Sequence, residues 1–423
     1  MKTRMSILIA AVICGLVLAA PSGFSQGSLT PPGPPAPTMK SLDQIEARTP
    51  ITNTGAVTIS QSGSYYLTAN IAVSSNDAIT ISADNVTLDL NGFSISSTAN
   101  PAAGDGIVLS GGRRNITINN GFVTGSVTVS GGVYSGAGFA YGISYSNGTP
   151  TLTRVSGVSV TGCQLAGIFL NLNSTSIQSC TVDTVGDTGL FAALVSDSVA
   201  VNCASSGVYA NTADNCTGSS TSSGYGVYAQ TANNCLGSSS TGTGLYAVNV
   251  ATCCEGYTLV SGVALQANSA NNCLGYNPNG TAISATVANN CYGESQGSGD
   301  GITAGISANN CYGSTVSGNG ITSTVAQNSY GYSYSGTGLS TTVAVGCYGE
   351  SSTYQGIFGD TVNFSYGLSD GSGPFGFGVY ANLVAEGTIG VAGNFVGIFG
   401  GAILNSCWSS EGAAQAPYQY NMP

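Results

Sequence analysis

Between Gly207 and Cys347 a short phrase recurs with small changes: ANNCLGSSSTGTGLYA, SANNCLGYNPNGTAISA, VANNCYGESQGSGDGITA and SANNCYGSTVSGNGITS. No other feature restricts the fold as strongly. A Gly-aliphatic pair places Val208, Val227, Leu245, Val263, Ile283, Ile302, Ile321, Leu339 and Ile357 at steps of 18 to 20 residues. A second anchor, in most copies Asn followed by Cys, places Cys203, Cys216, Cys235, Cys254, Cys273, Cys291, Cys311 and Cys347, with Ser329 filling one gap. Short apolar segments at this period, split by Gly, Ser, Thr and Asn, cannot bury a core singly. They specify coils of parallel β-strands, each stacked on the next.

Further Gly-aliphatic anchors occur at Ile107, Ile143, Ile168, Leu190, Val379 and Ile398, giving about 15 coils in all. At roughly 4.8 Å between neighbouring strands, such a stack is about 70 Å long. In ADNVTLDLNGFSI, apolar residues alternate on either side of a turn at Asn91–Gly92. Residues 1–25 read as a secretory signal, with Lys2 and Arg4 ahead of an apolar run from Ile7 to Ala20. Residues 26–50 read as a Pro-rich linker and N-terminal cap, 51–405 as the solenoid, and 406–423 as a C-terminal cap in which Trp408, Tyr418 and Tyr420 cover the open end.

The chain has 7 Lys and Arg against 18 Asp and Glu, and no His. Nucleic acid needs a basic footprint, which is missing here. No second apolar run of membrane length follows the signal, so the expected location is secreted, periplasmic or at the cell surface, with no membrane span after signal cleavage.

The repeat builds three ladders. Cys235, Cys254, Cys273, Cys291, Cys311 and Cys347 share one position, open to three readings: buried thiols, disulfides or metal ligands. Stacked Cβ directions are poor for disulfide torsion, and metal sites want CxxC or Cys/His spacing, which is absent. Of the adjacent pair Cys253–Cys254, one must leave the ladder. Asn202, Asn215, Asn234, Asn272, Asn290, Asn310 and Asn328 form a second ladder, suited to left-handed corners and to coil-to-coil amide bonds. Tyr292, Tyr312, Tyr330, Tyr348 and Tyr366 form a third. If Cys faces in, the next residue faces out. These tyrosines are therefore a candidate platform for sugar rings, or a row of rings stacked on one another. Tyr209, Tyr228 and Tyr246 make a shorter row.

Asparagine-rich turns, Gly-aliphatic anchors and a period near 20 resemble the right-handed parallel β-helix proteins of the pectate-lyase-like superfamily. The opening PPGPPAPTMKSLDQIEARTPI, with SGSYYLT and ADNVTLDLNG, is similar to exported bacterial β-helix proteins without assigned activity. The resemblance covers about residues 40 to 405 and implies an all-β, single-stranded right-handed solenoid. It also implies how an enzyme of this kind would work. Hydrolases of the superfamily pair aspartates with a histidine, and this chain has none. Lyases use an Arg or Lys base, and nothing basic follows Arg154.

Candidate carboxylates are Asp300, Glu294 and Asp187; candidate cations are Arg113, Arg114 and Arg154. Solvated turn residues are the simpler reading of the carboxylates and of Arg113 and Arg114. No calcium-coil, phosphate-cradling or nucleophile-elbow motif occurs, so no cofactor is expected. The expectation is an exported non-catalytic module whose partner is polysaccharide or cell-surface glycan. A polysaccharide lyase or glycoside hydrolase, and a cell-envelope adhesion protein, are the alternatives.

Overall fold

The computed structural model describes residues 47–371, 375–393, 396–400, 403–409 and 418–420. The expected signal and most of the Pro-rich linker lie outside them. The chain divides into Met1–Ala47 and Arg48–Pro423, and the second unit is considered below. Among the described residues no helix is long and apolar enough to cross a membrane. The second unit is a parallel β-solenoid of about 19 turns.

One coil shows the construction. Ile283–Asn289 is a bent strand, Asn290 turns the corner, and Tyr292–Ser295 is the next strand. A loop then leads to Gly301 and the following coil. Ile283 lies in register between Leu265 and Ile302. Ala288 lies between Ala270 and Ala308, and Tyr292 between Leu274 and Tyr312. We call these the anchor, alanine and tyrosine faces.

The interior is narrow because its residues are small. The aliphatic anchor faces the glycine that follows each tyrosine. A Cβ on Gly313 would stand 2.1 Å from the Gly320 carbonyl oxygen, so only glycine lets the two walls meet. Larger Ile and Leu side chains fill the first coils, among them Leu67, Ile71, Ile79, Leu88 and Ile107, all fully buried.

Two of the turns beyond 15 were hidden for a local reason. Val57 and Ile79 belong to the anchor row, but Ala56 and Ala78 precede them, so the Gly-aliphatic signature is missing. The anchor near 263 is also displaced. Leu265, not Val263, pairs with Leu245 and Ile283, and Ala264 takes the glycine's place. At the other end, Trp408 pairs with Ile389, and Tyr418–Tyr420 pairs with Ile403–Asn405. These strands extend two of the faces.

Candidate functional site

The cysteine ladder is interior. Twelve cysteines in the solenoid are free; eleven are buried and Cys253 is exposed. Four consecutive ladder thiols bond an alanine carbonyl of the preceding coil. Cys254, Cys273, Cys291 and Cys311 donate at 3.4 Å to the carbonyls of Ala232, Ala251, Ala270 and Ala288. Ser329 makes the same bond to Ala308 at 3.1 Å. Burial pushes Cys163 up to about 12 and Cys180 up to about 11. No group of three or more His, Cys, Asp or Glu among the described residues is placed to hold a metal ion.

Cys203 does not belong to this ladder. It lies in register with Val185 and Ser220, in a separate buried row that continues as Ser239, Thr258, Asn277, Ser295, Thr315, Ser333, Ser351 and Ser369. Its hydroxyls tie loops together. Ser333 donates to the Gly318 carbonyl and accepts from the Gly336 amide, both at 2.7 Å.

Asn234, Asn272, Asn290, Asn310 and Asn328 occupy the left-handed corner, at φ of 46 to 53°. Cys253 takes that corner in its coil, at φ 52°, which explains its exposure. The coil-to-coil amide bonds run one residue earlier: Asn289 donates to Asn271, and Asn309 to Asn289, each at 2.9 Å. Asn202 turns a corner elsewhere, beside the Cys203 row.

The five tyrosines face outward in one row. Their ring centroids are 4.8 to 5.0 Å apart, and their planes are within 3 to 17° of parallel. The ring faces therefore cover one another, and the strip presents edges and hydroxyls to solvent. Ile389 and Trp408 continue the row, 40 % and 47 % exposed.

Two residues further along each strand, a second outward row carries Glu294, Ser314, Tyr332 and Glu350. Tyr330 donates its hydroxyl to Glu350 at 2.6 Å, and Tyr292 donates to Glu294 at 3.2 Å. Burial and the Glu350 carboxylate raise the Tyr330 phenol well above its ordinary range, so it stays a donor. Two shallow grooves flank the strip. One, of about 390 Å³, runs along Asn290, Asn310, Asn328 and the tyrosines; the other, of about 400 Å³, is lined by Glu294, Gln296, Val316, Tyr332 and Tyr334.

The remaining candidates are dispersed. Asp300 accepts from the Asn319 amide at 2.9 Å and from Thr303 at 3.0 Å, which makes it a turn residue. Asp187 is a turn residue, its backbone amide donating to the Leu165 carbonyl of the preceding coil and its carboxylate accepting from Thr188. Arg113 clamps a corner through the Ser82 carbonyl at 2.8 Å and Asp84 at 3.7 Å. Arg114 and Arg154 are exposed. Seven register steps separate the Arg154 coil from the Glu294 coil, which is about 34 Å at ~4.8 Å per step. Among the described residues, no arginine therefore meets Glu294 or Asp300.

A carboxylate pair that sequence reasoning missed sits in the early coils. The Asp105 amide donates to Asp77 at 2.9 Å, and the buried Ser144 hydroxyl donates to Asp105. Burial raises Asp105 to about 6, against the Ser144 bond and with help from Asp77. Beside it Tyr141, Tyr145, Phe169, Phe191 and Tyr209 run as a second aromatic row.

No family model and no curated protein matches the chain. Among solved structures, it is similar to the A-module of the Azotobacter vinelandii mannuronan C-5 epimerase AlgE6, at 12 % identity and a TM-score of 0.25, over 85 % of this chain and 90 % of that one. It is also similar to the Dettilon tailspike protein gp208, at 13 % identity and a TM-score of 0.27, over 85 % of this chain and 61 % of that one. Neither likeness is close enough to carry an argument about function.

Proposed function

We propose that the chain is an exported, non-catalytic β-helix protein of pectate-lyase-like type that binds polysaccharide along its tyrosine face. One observation carries this reading: five tyrosines in register, flanked by a parallel row that carries Glu294 and Glu350, form a strip of hydroxyls and carboxylates bordered by two open grooves. Phenol donors beside carboxylate acceptors on a rigid sheet suit a polymer of hydroxyls. The sheet is set before the ligand arrives, so little ordering entropy is lost on binding. The test is binding to immobilised polysaccharides. Tyr312→Ala combined with Tyr330→Ala should cut retention at least tenfold, whereas retention unchanged in this variant refutes the reading.

A second reading is favoured by the Asp77–Asp105 pair. A carboxyl held near pH 6 beside a second carboxylate is the arrangement a glycoside hydrolase uses for its acid. New reducing ends released from a polysaccharide by the native protein, and lost in Asp105→Asn, would establish it. No release across a polysaccharide panel would remove it.

A further inference from the structure

We infer that the tyrosine strip selects uncharged, extended polysaccharide lying parallel to the solenoid axis, and rejects polyanions. The inference rests on the proposed glycan-binding role of this face. Three observations carry it.

The first is charge. No Lys, Arg or His follows Arg154 in the sequence, so none lies on the coils that bear the strip. The fixed charges on the strip are Glu294 and Glu350, both held in place by tyrosine hydroxyls. A uronate or sulfate group laid along the strip would meet carboxylates with no cation to offset them. Like charges brought this close repel, and that repulsion weakens binding of a polyanion relative to a neutral chain. Sugar hydroxyls, by contrast, can donate to the same carboxylates and accept from free phenols.

The second is spacing. The rings repeat every 4.8 to 5.0 Å along the axis, comparable to the advance of one pyranose along an extended chain. One sugar per coil keeps the contacts in step over Tyr292 to Tyr366.

The third is orientation. Because the ring faces are stacked on one another, a sugar cannot slide between them to lie flat on a single ring. It meets the strip edgewise, along the grooves, where recognition is by hydroxyl groups.

The experiment is calorimetric titration of the native protein, at fixed ionic strength, with four probes: cellohexaose, mannohexaose, xylohexaose and hexagalacturonate. The expected result is binding of at least one neutral hexaose, with hexagalacturonate at least tenfold weaker. Glu294→Gln combined with Glu350→Gln should shrink that difference at least threefold, and Tyr312→Phe combined with Tyr330→Phe, which keeps the stack, should weaken the neutral hexaose.

Hexagalacturonate bound as tightly as the best neutral probe, and lost in Tyr312→Ala combined with Tyr330→Ala, would overturn the selectivity while leaving the face as a glycan site. Discrimination untouched by the glutamine pair would also overturn it. Binding of no probe, neutral or charged, would instead count against the glycan-binding role itself and carry this inference down with it.

Discussion

At the scale of single residues, the fold shows its constraints where the repeat is broken. Phe364 occupies the left-handed corner at φ 49°, where other coils place Asn, Asp, Gly, Ser or Cys. A bulky side chain there is strained. Its ring crosses the next corner, where a Cβ on Gly387 would lie 2.7 Å from it. Phe364→Asn should therefore raise stability by about 1 kcal/mol, read as a higher denaturant midpoint; a lower midpoint would show that the ring contributes more than its backbone costs. Asp105 gives a pH prediction. Its folded-state pKa is raised from 3.8 to about 6, so the native state binds that proton more tightly than the unfolded chain. Stability from this group is present below about pH 4 and is lost as pH rises through 6. Asp105→Asn should thus be more stable than the native protein at pH 7, by up to about 3 kcal/mol, and equal to it near pH 3.5. An equal gain at both pH values would show that the charge is not the cause. The pair Asp77–Asp105 was not legible in sequence. The two residues meet across early coils of irregular length, before the short period begins, so no spacing points from one to the other.

At the scale of the strand and its ladder, inward positions accept what is small and can bond a carbonyl. That is why Ser329, Ser365 and Thr388 replace cysteine in the same row. The anchor and tyrosine rows were legible because Gly marks them in nearly every copy. The buried hydroxyl row was not, because Ser, Thr and Asn all serve there. Cys203 looked like a member of the thiol ladder because it shares the Asn-Cys signature while standing on another face. The ladder makes a direct chemical prediction. Alkylation of the native solenoid should add one group, at Cys253, and unfolding should release the other eleven of its twelve cysteines. Several native adducts would mean that the interior opens or that the ladder faces out. Cys311→Ser should keep the carbonyl bond and cost under about 1 kcal/mol, whereas Cys311→Leu overpacks the narrow interior and should cost about 1 to 3 kcal/mol.

At the scale of the whole coil stack, stability is a sum over coils and their contacts. Removing Ile302–Gly320 takes out one repeat and lets Ile283 meet Ile321. This deletion should fold, with native β-sheet circular dichroism and a modestly lower melting temperature. Removing only Ile302–Cys311 throws every later row out of register and should abolish cooperative unfolding. Equal tolerance of both deletions would contradict the in-register account. The same regularity sets the proposed function, since a straight strip spanning Tyr292 to Tyr366 exists only because identical coils repeat. The most direct test is tyrosine nitration mapped by mass spectrometry, with and without a saturating neutral polysaccharide. Protection at Tyr292, Tyr312, Tyr330, Tyr348 and Tyr366, extending only to Tyr332 and Tyr334 of the flanking groove, is the predicted result. Unchanged nitration along that strip, or protection at Tyr209, Tyr228 and Tyr246 instead, would contradict it.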